Sequence, residues 1–128
     1  ETVQLQLKDN LPFITLVIGY QGKTAIISDV LVDTGSASTI LAADSLIRVG
    51  IEPSPEDTLH TIRGVGGIEV VYLRKVDFLE VGENKILDFE IEVGGMDYGF
   101  ELNGIVGMDF LQAAKAIIDL HAMKIHFY

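Results

Sequence analysis

Asp29-Val30-Leu31-Val32-Asp33-Thr34-Gly35-Ser36 runs an apolar β-segment straight into an ionisable carboxylate and a turn of Thr, Gly and Ser. A strand end holds the acid rigidly, and the glycine that follows lets another backbone come close. The Asp-Thr-Gly-Ser tetrad occurs once. Asp97-Tyr98-Gly99 lacks both the hydroxyl and the preceding apolar strand. Chemistry that needs two such acids must take the second from another molecule.

Outward from this stretch the apolar period is mostly two. Val3, Leu5 and Leu7 alternate with polar residues and predict a half-buried strand. Leu11 to Tyr20 and Lys23 to Ser28 predict two strands turning at Gln21-Gly22. The segment ending at Asp33 comes next, then an extended piece over Ser38 to Leu41. Ala42 to Val49 predicts a short helix closed by Gly50, and Pro53 and Pro55 mark a loop. Leu59 to Val81 predicts two strands around the tip Gly64-Val65-Gly66-Gly67. A further hairpin turns at Gly82-Glu83-Asn84, and Ile86 to Val93 alternates apolar and acidic residues. Asp109 to Ala116 predicts a second helix with Asp109 as N-cap. Ala116 to Leu120 and Met123 to Tyr128 close the chain as strands. Many short strands, one or two short helices and one core imply an all-β fold, a small closed β-barrel formed by residues 1–128 as one domain.

The composition narrows the function. A chain of 128 residues with 48% hydrophobic and 22% charged residues is globular. With no cysteine, disulfides and thiolate metal sites are excluded. A net charge of −10, with no basic run longer than Arg74-Lys75, argues against nucleic acid. Two copies would repel each other less in mild acid. No apolar run reaches the roughly 18 residues that span a bilayer. The chain begins at Glu1, which fits a domain excised from something longer, including a membrane-anchored protein. The compartment is left open.

Several segments together resemble the retropepsin-type aspartic proteases. They are Leu31-Val32-Asp33-Thr34-Gly35-Ser36, Ser38-Thr39-Ile40-Leu41, the tip Ile62-Arg63-Gly64-Val65-Gly66-Gly67, and Gly104-Ile105-Val106-Gly107-Met108-Asp109-Phe110-Leu111. The resemblance covers most of the chain, with the elements in the family's order. It implies a homodimer in which the two Asp33 side chains face each other and share one proton. One carboxylate would activate a water and the other would donate to the scissile carbonyl. No cofactor, metal or covalent intermediate is implied. Thr34 matches the residue that bonds across the dimer, and Gly35 the one against which substrate lies. Residues 61–68, with Arg63, Gly64, Val65, Gly66, Gly67 and Ile68, match the flap that folds over an extended peptide. Gly104, Ile105, Val106, Gly107 and Asp109 match the family's second structural motif. Lys124 to Tyr128 matches the terminal strand that interleaves between chains, the alternative being a closing strand within one chain.

Three positions depart from the retroviral pattern. Ser36 stands where those enzymes carry Ala, and its hydroxyl is expected to donate to Asp33, favour the ionised form and give an acidic optimum. Ala37 and Met108 replace an Asp and an Arg that pair near the dimer contact. Both partners are missing, so no charge is left unpaired and the contact is expected to be more apolar.

Other motifs carry less. Gly19 to Thr24 ends like a phosphate loop but is two residues short and precedes no helix. In Asp33-Thr34-Gly35 a glycine holds the place of a phosphotransferase's second acid. His60, His121 and His126 lack metal-ligand spacing and read as surface or barrel-edge residues. The leading reading is an aspartic endopeptidase. Its alternatives are a noncatalytic peptide-binding dimer of the same fold and a regulatory domain that cleaves one partner or its own precursor.

Overall fold

The computed structural model describes residues 2–64, 67–96 and 101–128. Eleven strands and two short helices follow one another as β1 (Thr2–Gln4), β2 (Gln6–Lys8), β3 (Leu11–Tyr20), β4 (Lys23–Val32), β5 (Ile40–Ala42), α1 (Ala43–Leu46), β6 (Leu59–Gly64), β7 (Gly67–Val81), β8 (Asn84–Gly94), β9 (Gly104–Val106), α2 (Met108–Ala113), β10 (Ala116–Asp119) and β11 (Lys124–Phe127). The fold is mostly β, as the alternating pattern requires.

An eight-stranded sheet runs in the order β2-β3-β4-β9-β5-β8-β7-β6, and β3 pairs again with β7 over Val17–Gly19. Two-residue turns with positive φ join β2 to β3 (Asp9, Asn10) and β3 to β4 (Gln21, Gly22), the left-handed geometry that matches strand twist. The expected break after Ser28 is absent, because Lys23 to Val32 is one strand. Asp29 takes φ 57 there, where the β3–β4 register shifts between Ile14 and Leu16. A bulge of this kind bends a strand without ending it.

The core holds Ile14, Leu16, Ile18, Ile27, Val30, Leu41, Leu79, Ile91, Val106 and Phe110. Phe89 meets Phe110 edge-on at 5.8 Å, worth about 1 kcal/mol beyond area burial. A smaller cluster of Phe13, Ile40, Ala42, Met96, Leu102 and Ile105 packs elsewhere.

Two expectations need correction, and an alternative left open for the terminal strand is decided in favour of a closing strand within one chain. The first strand divides at Leu5, which is buried and donates its N–H to Met123 O at 2.8 Å. β1 pairs with β11 and β2 with β3, leaving Leu7 57% exposed. The first helix is a single α-turn followed by a 3₁₀ turn over Ile47–Val49, which Gly50 closes at φ 83. Finally, β11 is the middle strand of a three-stranded sheet, with β1 on one side and β10 on the other. Both of its edges are taken within the chain, so no partner strand can pair beside Lys124 to Phe127.

Candidate functional site

The Asp33 turn is held by the strands beneath it and the helix beside it. Val30–Val32 of β4 lies parallel to Gly104–Val106 of β9, and the Asp33 N–H extends that ladder to Val106 O at 3.0 Å. The Ser36 N–H then donates to Asp33 O at 3.2 Å. The Gly35 N–H donates to Asp33 Oδ1 at 2.9 Å, so the carboxylate is oriented by its own turn. Asp33 is partly exposed, while Thr34, Gly35 and Ala37 are exposed.

Helix α2 supplies the other clamp. Its first amides lack partners within the helix and find them in the turn, with Met108 N donating to Ser36 O at 2.8 Å and Asp109 N to Ala37 O at 3.2 Å. Gly107 passes too close for any side chain. A Cβ there would clash with Ser38 O and lie 2.7 Å from Ser36 O.

Asp109 is not the N-cap. That position belongs to Gly107, and the helix begins at Met108. The Asp109 carboxylate reaches across to the residue before β5 instead, accepting from Thr39 Oγ1 at 2.7 Å and Thr39 N at 3.2 Å. Thr39 Oγ1 in turn accepts from Gly107 N at 3.2 Å. Fully buried Thr39 thus fastens the two motifs together, a role its place in an apolar run gave no sign of.

The Ser36 hydroxyl also departs from expectation. It donates to Ser38 O at 2.7 Å, and one hydroxyl has one proton to give. The donor to Asp33 is the Gly35 amide.

Of the matched flap residues, the hairpin strands pair with Arg63 opposite Ile68 and Gly64 opposite Gly67. Val65 and Gly66 lie outside the described residues, as do Asp97, Tyr98 and Gly99. Ile68 is exposed. Glu69, one step further along β7, accepts from Met96 N at 3.1 Å. At the base of the hairpin, Arg74 of β7 holds the loop that leads into β6. Its Nη2 donates to Asp57 Oδ1 at 2.9 Å and Glu52 O at 2.8 Å, its Nη1 to the Tyr20 hydroxyl at 3.2 Å. Burial opposes the charge on Asp57, but the Arg74 hydrogen bonds, the Ser54 amide and the Arg74 charge outweigh it and hold the carboxyl below its ordinary value of 3.8.

Glu92 of β8 is buried, although its acidic place in an alternating strand pointed to solvent. Its Oε1 accepts from Ser38 Oγ, and its Oε2 stands 3.6 Å from His60 Nδ1 on β6. Among the described residues no cluster of His, Asp and Glu could hold a metal ion, and no helix is long and apolar enough to cross a membrane.

Comparison with known proteins agrees with this architecture. Residues 23–113 match the family described as "gag-polyprotein putative aspartyl protease", a span that holds the Asp33 turn, the hairpin and the Gly104–Asp109 motif. A solved retropepsin-like aspartic protease from Rickettsia conorii superposes with a TM-score of 0.72 at 16% identity, over 98% of each chain. At that identity the likeness is one of fold. No curated protein sequence matches.

Proposed function

The chain belongs to the gag-polyprotein aspartyl protease family, and we propose that it is an aspartic endopeptidase that completes its site by dimerising. The observation that carries this reading is the Asp33 turn. A partly exposed carboxylate is fixed by the Gly35 amide, on a loop clamped between β4, β9 and α2. A single chain brings one such acid, and the exposed Thr34 and Gly35 beside it are free to meet a second copy. Among the described residues Thr34 makes no side-chain hydrogen bond, which suits a hydroxyl that bonds across a dimer.

In the dimer two Asp33 carboxylates share one proton, since like charges that close do not both ionise. The ionised member takes a proton from a water between them as that water attacks the scissile carbonyl carbon. The protonated member donates to the carbonyl oxygen, giving a gem-diol. Collapse breaks the C–N bond, and the leaving amine takes up a proton from the pair. The hairpin of β6 and β7 covers the peptide and supplies strand-edge hydrogen bonds to its extended backbone.

The test is turnover of a random peptide pool between about pH 4 and 6, the acid range in which such a pair retains its proton. Cleavage products are expected from the unaltered protein. Asp33→Asn should lower the rate at least about a thousandfold, within the range assigned to general acid–base groups. Saturable peptide binding without products would favour the noncatalytic reading.

A further inference from the structure

Side chains paired across a sheet point to one face. The registers place Leu31 beside Ile105, Ile105 beside Ile40, and Ile40 beside Glu92. Strand alternation carries Asp33, two residues beyond Leu31, to that same face. An apolar row therefore runs from the catalytic strand across β9 and β5 and ends at a carboxylate on β8.

That carboxylate is incompletely neutralised. Glu92 is 7% exposed, and burying a charge is costly unless it is paired. Ser38 Oγ satisfies Oε1. Oε2 accepts no hydrogen bond among the described residues. Its neighbour is the His60 ring, half exposed, 3.6 Å away and charged only when protonated. The lysine nearest in register, Lys75, stands opposite Glu90.

We propose that Glu92 is a specificity-determining residue whose Oε2 receives the ammonium or guanidinium of a basic side chain, carried by an extended peptide lying along the Asp33 face. The inference rests on the endopeptidase reading and names the substrate class that reading lacks. Three strand spacings separate β8 from β4, about 14 Å in all, or the length of about four extended residues. The basic residue then falls within about four positions of the cleaved bond. The net charge of −10 draws cationic peptides to the molecule as a whole, and Glu92 gives that attraction a fixed position.

The experiment scans lysine against norleucine through those positions of a cleaved peptide, with the unaltered protein and with Glu92→Gln, whose amide oxygen still accepts from Ser38. The unaltered protein should prefer lysine at one position by at least about tenfold in kcat/KM, and Glu92→Gln should reduce that preference to about twofold or less. Absence of any lysine preference in the unaltered protein, or a preference that Glu92→Gln leaves intact, overturns the proposal. The first comparison needs no variant, so a folding defect in Glu92→Gln does not remove the test. Failure to cleave any peptide, with Asp33→Asn behaving identically, would overturn the endopeptidase reading. Fluorescence anisotropy of the same peptides on Asp33→Asn then decides the matter for Glu92. Lysine peptides binding about tenfold tighter uphold it, and equal binding overturns it.

Discussion

Thr39 is where one side chain serves two segments at once. It donates to Asp109 and accepts from Gly107 while wholly buried, so Thr39→Val leaves the buried Gly107 amide without its acceptor and takes one donor from a part-buried Asp109 oxygen that keeps the Phe110 amide. Chemical denaturation should show a loss of about 1 to 3 kcal/mol. Ser36→Ala makes a contrasting case. Its hydroxyl serves the carbonyl of Ser38, so the substitution should cost about 1 kcal/mol of stability and leave the acid limb of the pH–rate profile in place. A shifted limb would return the hydroxyl to Asp33. Gly107 was legible in the sequence because its place admits no side chain, and the position of Asp33 because an apolar strand runs straight into it. The partners of Ser36, Asp109 and Glu92 were not, because a polar side chain's donor is set by which strand folds beside it.

At the scale of elements, the hairpin base depends on an ion pair that crosses from loop to strand. The carboxyl of Asp57, lowered by Arg74 and the Ser54 amide against the effect of burial, binds fewer protons folded than unfolded at the same pH. Its stabilisation is therefore present above the ordinary value of 3.8 and is lost as pH falls below it. Thermal melting points should drop through that acid window, and Asp57→Asn should flatten the drop. An unchanged slope would remove Asp57 from the account. The period-two pattern gave β3, the β6–β7 hairpin and the two closing strands with little error. It failed at β1 and β2, where Leu5 alone turns inward, and at Ser28, where a bulge replaces a break. It failed again at Glu92, which is buried between Ile91 and Val93 although the alternation pointed it to solvent.

At the scale of the molecule, the chain is one half of its proposed machine. The fold follows from apolar periodicity and a single glycine-bounded acid turn, and matches a retropepsin-like structure over nearly its whole length. The proposed assembly was harder to read, because residues that would meet a second copy obey no period. The terminal strand shows this, being enclosed by its own chain on both sides. The central claim is that each active site draws one Asp33 from each of two chains. Mixing unaltered protein with Asp33→Asn at fixed total concentration, under conditions that let subunits exchange, tests it most directly. A shared pair predicts that turnover falls as the square of the unaltered fraction. A fall in simple proportion to that fraction would mean each chain works alone, and would contradict the account.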